Sequence, residues 1–318
     1  MIIFGPVPSR RLGKSIGINN IPPKICTYSC IYCQVGRTKK MTTKKQNFYS
    51  IDKILREVDN KINNMNKKGE KIDYLTFVSD GEPTLDIKLG CIINALKVFG
   101  IKIAVITNSS LIWEKEVQEN LMQADLVSLK VDSVLQKIWK KINRPEKNLK
   151  IKKILTGILE FCKNFSQKII TETMLIKNIN VNSETIKSTA EFIQKLSPNI
   201  AYISIPTRPP SETWAKPPDE KSLNNAYQIF SNAMINTELL IGYEGNTFAS
   251  TGNIENDLLS ITAVHPMRKD AVEKLLLKTN ATWDSVKKLI EQKKITQSKH
   301  NGNFFYNRTF TKFSNLKL

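Results

Sequence analysis

Residues 15–33 read SIGINNIPPKICTYSCIYC, and this stretch decides how the rest of the chain is understood. A short β-prone run near 15–20 leads directly into Cys26, Cys30 and Cys33, spaced C-x-x-x-C-x-x-C. Clustered thiolates select zinc or iron–sulfur centres. A structural zinc site wants four ligands, and this cluster offers three; the two histidines of the chain, His265 and His300, lie far along the sequence. The remaining cysteines, Cys91 and Cys162, fall on expected helix bodies, where a buried apolar thiol is the ordinary reading. An odd count of five with three in eight residues points to metal binding rather than disulfides. Three thiolates on a four-iron cluster leave one iron open to a small-molecule ligand. Zinc, or a purely structural cluster, is the competing reading.

Downstream of the loop, helical and strand patterns alternate. Ile51, Ile54, Leu55, Val58, Ile62 and Met65 share one face of a helix over 51–68. A strand at 74–78 ends in Ser79-Asp80-Gly81, followed by a helix at 86–99 and a strand at 101–106. A helix at 112–122, strand 125–131, helices within 133–164 and strand 168–176 continue the series. A helix at 183–196 and strand 200–205 close it. Short Val- and Ile-rich strands separated by helices predict a parallel sheet of successive βα units. With the strand near 15–20 the units number six, so the expected fold class is α/β, a partial (β/α)6 barrel over residues 1–236. Its chemistry belongs at the carboxyl ends of the strands.

The remainder changes character. Gly242, Gly245 and Gly252 mark an expected linker at 237–253. Helices are expected at 254–263 and 269–279, and a third after Thr282, a good N-cap. Asn301-Gly302 between strand-like runs signals a hairpin. Helices followed by a hairpin predict a winged-helix-like module over 254–318. Phe304, Phe305 and Tyr306 either stack on bases or, two of them, pack the hairpin on its helices.

The 318 residues are 41% hydrophobic and 24% charged, enough for a sizeable core. No run is long enough to span a bilayer, and the amino terminus lacks a signal-peptide pattern, so the expected compartment is the cytoplasm. The net charge is +19, although a Lys-, Asn- and Ile-rich composition with only 8 arginines also reflects codon bias. Residues 1–50 hold nine Lys and Arg and no acid; residues 265–318 hold twelve basic and four acidic residues. Two basic ends fit a polyanionic partner such as RNA. A solvated Lys-rich surface would look the same in sequence.

Asp80-Gly81-Glu82-Pro83 ends the second strand of this series, where Gly81 gives backbone access and Glu82 can accept from an ammonium group. As a bare tetrapeptide it is also an ordinary turn. The cysteine spacing with aromatic Tyr32 before the third cysteine, the barrel pattern and this motif together resemble the radical S-adenosylmethionine superfamily. That resemblance implies a [4Fe-4S] cluster on Cys26, Cys30 and Cys33, whose open iron binds the amino and carboxylate groups of S-adenosyl-L-methionine. It also implies reductive cleavage of the S–C5′ bond to methionine and a hydrogen-abstracting 5′-deoxyadenosyl radical. Asp80 stands where the family motif has its first glycine. By the same resemblance Asn108, Ser109, Lys130, Asp132 and Glu172 sit where ribose or carboxylate contacts occur. Thr207 and Arg208 fall where adenine or substrate contacts are found. Arg10 and Arg11 offer phosphate or carboxylate binding, or only a basic loop.

Within the superfamily the stretches GPVPSRRLGKSIGIN, SDGEPTL, VSLKVDS and INRPEKNLKIKKILTGILEF are similar to the branch of tRNA wyosine-base synthases, over roughly residues 1–215. Those enzymes carry further amino-terminal cysteines, and this chain has none before Cys26. The expected function is RNA or tRNA modification, supplied with electrons by a carrier such as ferredoxin or flavodoxin, with no membrane partner. Two alternatives stand beside it. One is a radical enzyme acting on a peptide or partner protein, a glycyl-radical activase included. The other is a non-catalytic iron–sulfur or zinc regulator with a winged-helix end.

Overall fold

A computed structural model describes residues 2–67, 69–241, 252–264, 266–300 and 302–309. The chain opens with a hairpin, β1 (Ile3–Ser9) antiparallel to β2 (Gly13–Ile18). Within the cysteine loop, β3 (Ile25–Cys26) pairs in parallel with β4 (Lys40–Met41). Then come β5 (Tyr74–Phe77), β6 (Lys102–Thr107), β7 (Leu126–Lys130), β8 (Lys168–Met174), β9 (Ile200–Ser204) and β10 (Thr237–Leu240). They join one eight-stranded sheet in the order β1-β2-β5-β6-β7-β8-β9-β10, all parallel from β2 onward.

The sheet is an open, curled half-barrel of six βα units, as the alternation predicts, with a seventh parallel strand added at its edge. The seventh, β10, occupies the start of the segment expected to be a linker. Its four residues, TELL, are too short to show a period. The antiparallel β1 was also not expected. Its Gly-Pro and Val-Pro pairs read as breaks, yet an edge strand tolerates proline, and the register shifts between Phe4 and Val7.

Helices α1 (Ile51–Asn66), α2 (Leu89–Leu96), α3 (Lys115–Leu121), α4 (Gln136–Asn143), α5 (Ile151–Asn164), α6 (Ser183–Leu196) and α7 (Glu220–Asn232) connect the strands. Helix α1 is capped by Ser50 and buries Ile54, Val58, Ile62 and Met65, the stripe read from the sequence. One continuous core joins these helices to the sheet, from Ile16 and Leu75 through Val105 and Val127 to Ile203 and Phe230.

The last part has its own core. Helix α8 (Ile254–Val264), β11 (Met267–Arg268), α9 (Lys269–Lys278), α10 (Trp283–Glu291), β12 (Ile295–His300) and β13 (Asn303–Arg308) follow in order. They bury Leu258, Ile261, Val272, Leu275, Val286, Leu289 and Tyr306 together. Thr282 caps α10. Strand β13 lies between β11 and β12, with His300 opposite Asn303 and Gly302 at φ +76°, the positive-φ position a two-residue hairpin needs. Asn301 lies outside the described residues. Phe305 and Tyr306 are buried and Phe304 is exposed, so packing accounts for two of the three aromatics. This unit meets the sheet through Val7, which packs on its core. Glu70 joins the two parts as well, bridging Lys14 of β2 and Lys278 of α9. Among the described residues no helix is long and apolar enough to cross a membrane.

Candidate active site

The cysteine loop is laid against the carboxyl end of α4 by backbone bonds. Ile31 N–H donates to the Ile142 carbonyl (2.9 Å) and Ser29 N–H to the Asn143 carbonyl (3.0 Å). Tyr28 is buried edge-on against Trp139, whose indole N–H donates to the Tyr28 hydroxyl (3.1 Å). On the other side the loop touches the turn after β5. Lys24 N–H donates to the Asp80 carbonyl (2.7 Å) and Glu82 N–H to the Ile25 carbonyl (3.2 Å). At Gly81 a Cβ would overlap the Ile25 carbonyl oxygen. Only glycine lets the two backbones approach this closely.

Each of the three sulfurs has N–H donors at hand. Asn108 Nδ2 reaches Cys26 Sγ and Asn143 Nδ2 reaches Cys30 Sγ, both at 3.5 Å. Backbone N–H groups of Val35 and Gly36 bond Cys33, and that of Tyr28 bonds Cys26. Donors of this kind tune thiolates that hold iron–sulfur clusters. Burial pushes all three thiols up, Cys30 to about 12 and Cys26 well above its usual value, so metal binding must displace their protons. No three His, Cys, Asp or Glu side chains among the described residues close on one point as a single-ion cage does. Thiolates that each hold a different corner of a cluster need no such convergence. The residues therefore fit a cluster held by Cys26, Cys30 and Cys33. Cys91 is exposed on α2, not buried as expected, because its position falls off the apolar stripe of that helix. Cys162 is partly buried against the core.

Glu82 is fully buried and binds the ends of two strands together. Its Oε1 accepts from Thr107 Oγ1 (2.6 Å), Thr84 Oγ1 (2.7 Å) and Thr84 N–H (3.1 Å), and its Oε2 from Asn108 N–H (2.7 Å). Desolvation nonetheless raises its carboxyl above the ordinary range. Asp80 beside it is 3% exposed, and neither of its carboxylate oxygens has a hydrogen-bond partner. Burial lifts its pKa to about 7. The turn thus presents one engaged and one unengaged carboxylate.

Across the sheet, Lys130, Asp132, Glu172 and Tyr32 form one network. Lys130 Nζ donates to Glu172 Oε1 (2.8 Å) and lies 5.0 Å from the centre of the Tyr32 ring. Glu172 also accepts from Ser204 (2.8 Å) and from Arg11 (2.5 Å). Despite its burial these cations hold its carboxyl far below the ordinary range. Arg11 is thereby committed to an internal ion pair rather than offered to a phosphate, while Arg10 reaches the Leu239 carbonyl. Asp132 accepts from Tyr32 OH (2.5 Å), Asn143 Nδ2 (2.7 Å) and Met174 N–H (2.9 Å). Ser109 Oγ accepts from Lys130 N–H, so its role is to brace that strand end. Thr207 lies apart from this network, lining a cavity with residues of the carboxyl-terminal unit.

A strap formed by residues 208–212 was not legible in the sequence. Arg208 donates to Gln34 (2.9 Å), and Ser211 Oγ to the carbonyls of Cys30 (2.8 Å) and Ile31 (3.0 Å). Glu212 takes a two-pronged bond from Arg37 (2.9 and 3.0 Å) and another from Arg144 (2.5 Å). Asn143 was missed as well. The signal available for it was a polar residue, 2% exposed, at the end of an amphipathic helix.

The Radical SAM superfamily model matches residues 20–193, which contain the cysteine loop, the Asp80–Pro83 turn and Tyr32, Lys130, Asp132 and Glu172 of the network above. This chain belongs to the radical SAM superfamily. It is a radical SAM enzyme, and the cofactors of that family are a [4Fe-4S] cluster and S-adenosylmethionine. It is 48% identical over 307 residues to the UPF0026 protein MJ1312 of Methanocaldococcus jannaschii, covering 96% of this chain and 95% of that one. It is 33% identical over 313 residues to a protein of Brachyspira hyodysenteriae named GTPase Obg, of which it spans only 45%. A radical SAM methyltransferase of Sphaerobacter thermophilus shares the fold, with a TM-score of 0.55 at 12% identity over 71% of this chain and 66% of that one.

Proposed function

We propose that this radical SAM enzyme modifies an RNA, tRNA foremost, with the half-barrel carrying the chemistry and the carboxyl-terminal unit holding the polyanion. The observation that carries the reading is the order helix–strand–helix–helix–hairpin over Ile254–Arg308, with its own core and a Lys-rich exterior. That order fits a winged helix, a module that often holds nucleic acid. Lys293, Lys294 and Lys299, all exposed at its hairpin, supply sequence-independent contacts to phosphate.

When bound, the cluster and S-adenosylmethionine supply a carbon radical that abstracts hydrogen. The chain's own residues prepare for it. Cys26, Cys30 and Cys33 would hold the cluster, and Asn108 and Asn143 fix two of the sulfurs through N–H bonds. The backbone of the Asp80–Pro83 turn would receive the ammonium of the cofactor, and the buried, unpaired Asp80 carboxyl beside it would add negative potential there. Lys130, kept charged by Glu172 and stacked over Tyr32, would offer the cofactor carboxylate a cation. Electrons come from an external one-electron carrier of the ferredoxin or flavodoxin kind.

The test is anaerobic reconstitution with iron and sulfide, then dithionite and S-adenosylmethionine with and without total tRNA, quantifying 5′-deoxyadenosine. Wild type forms it, Cys30→Ala does not, and tRNA raises the yield several-fold. Formation that tRNA leaves unchanged would redirect the substrate to a peptide or partner protein.

A further inference from the structure

Thr207 was expected among the cofactor contacts, but it opens instead onto a cavity of about 180 Å³ between the barrel and the carboxyl-terminal unit. The barrel side is Ile205, Pro206 and Thr207, just past the carboxyl end of β9; the other side is Arg268, His300, Asn303 and Phe305. The next residue, Arg208, bonds Gln34 beside Cys33, so the cavity adjoins the strap over the cysteine loop.

Its chemistry is specific. His300 is 7% exposed, and its Nε2 is buried with no hydrogen-bond partner. The other ring nitrogen donates to the Pro206 carbonyl, which fixes the tautomer and leaves Nε2 a bare acceptor. A buried acceptor without a donor is costly, so a small shift of the His300 ring that lets a ligand N–H reach Nε2 is favoured. Arg268 is held by Asp270 in a two-pronged pair (2.7 and 2.6 Å), which removes the net charge that would draw a phosphate. Ile205, Pro206, Pro217 and Phe305 make the remainder apolar, with the Phe305 ring edge-on to His300 at 6.2 Å. The volume is below the ~300 Å³ at which larger ligands are held. A neutral, flat, N–H-bearing ring fits these walls, and a whole nucleotide does not.

We propose that this cavity takes one unstacked nucleobase, with a base N–H donating to His300 Nε2. That the base belongs to an RNA rests on the function proposed above. An enzyme that acts on a base within a folded RNA must take it out of the stack, and Lys216, whose charge reaches His300, and Lys299 are exposed nearby to meet the flanking phosphates.

The experiment is ligand-observed NMR titration of the full chain with guanosine, cytidine and uridine, for wild type, His300→Ala and the cavity-filling His300→Phe. Thermal melts confirm that each variant folds. Binding of tRNA is measured on the same samples. The expected result is saturable binding of at least one nucleoside, weakened tenfold or more in both variants and unaffected by S-adenosylhomocysteine. The cavity assignment is overturned if no nucleoside saturates wild type, if binding survives both variants, or if S-adenosylhomocysteine displaces the nucleoside. Normal tRNA binding beside absent nucleoside binding would sink the cavity alone. Nucleoside binding with no tRNA binding would sink the RNA reading alone.

Discussion

The cysteine loop and the carboxyl-terminal unit are held by different forces. The unit closes on itself around Leu258, Val272, Leu289 and Tyr306, so apolar burial carries it. The loop contributes only a few apolar anchors, Tyr28 and Ile31 among them, and otherwise depends on bonds to surrounding strand ends and to the 208–212 strap. A segment that must present three thiols cannot bury itself. It borrows its rigidity from Glu82, Asn143 and Glu212, which act as a polar frame.

This contrast can be broken at either end. The largest effect is expected from Gly81→Ala, where the new methyl drives the turn away from the Ile25 carbonyl. Formation of 5′-deoxyadenosine should fall at least about tenfold, the equivalent of ~1.4 kcal/mol, with RNA binding unchanged. Replacing Lys293, Lys294 and Lys299 by Gln should do the opposite. RNA affinity drops about tenfold and the salt slope flattens by roughly 2, at ~0.7 per lost phosphate contact on single strands. Cleavage of S-adenosylmethionine without RNA stays as in wild type.

A smaller effect is expected from Glu212→Gln, which leaves Arg37 and Arg144 without their carboxylate partner. The reconstituted cluster should bleach about threefold faster in air, followed by its visible absorbance, while the melting temperature falls only modestly, because Glu212 is buried but both arginine partners reach solvent. Unchanged bleaching would show that the strap does not hold the loop.

The smallest is a pH effect at Asp80 in the cofactor-free protein. Burial lifts its carboxyl to about 7 when folded, against about 4 when unfolded. The folded state therefore holds the proton more tightly, and stability is lost as pH rises through that window. Asp80→Asn should melt a few degrees above wild type at pH 8, with the difference fading toward pH 4. A constant difference across that range would contradict the burial of an unpaired carboxylate.

What the sequence disclosed follows the same division. Local chemistry was legible: the cysteine spacing, the Thr282 cap and the β12–β13 hairpin are encoded within a few residues, whereas the approach of Gly81 to the Ile25 carbonyl is not. The long-range frame was not. Glu212 lies 175 positions from Arg37, and nothing in SETWAK announces an ion pair. Glu172 looked like a cofactor ligand because it sits near a strand end, and only the fold brings Arg11 to it from 161 residues away. Strand β10 escaped notice because it takes its conformation from β9, its parallel partner, and not from its own four residues.

The central claim is that the radical formed on the barrel is spent on an RNA held by the carboxyl-terminal unit. Nucleoside mass spectrometry of total tRNA, before and after anaerobic incubation with the reconstituted enzyme, dithionite and S-adenosylmethionine, tests it most directly. The account predicts that one nucleoside changes mass in step with 5′-deoxyadenosine formation, and that Cys30→Ala abolishes both. Abundant 5′-deoxyadenosine with every nucleoside unaltered would contradict it.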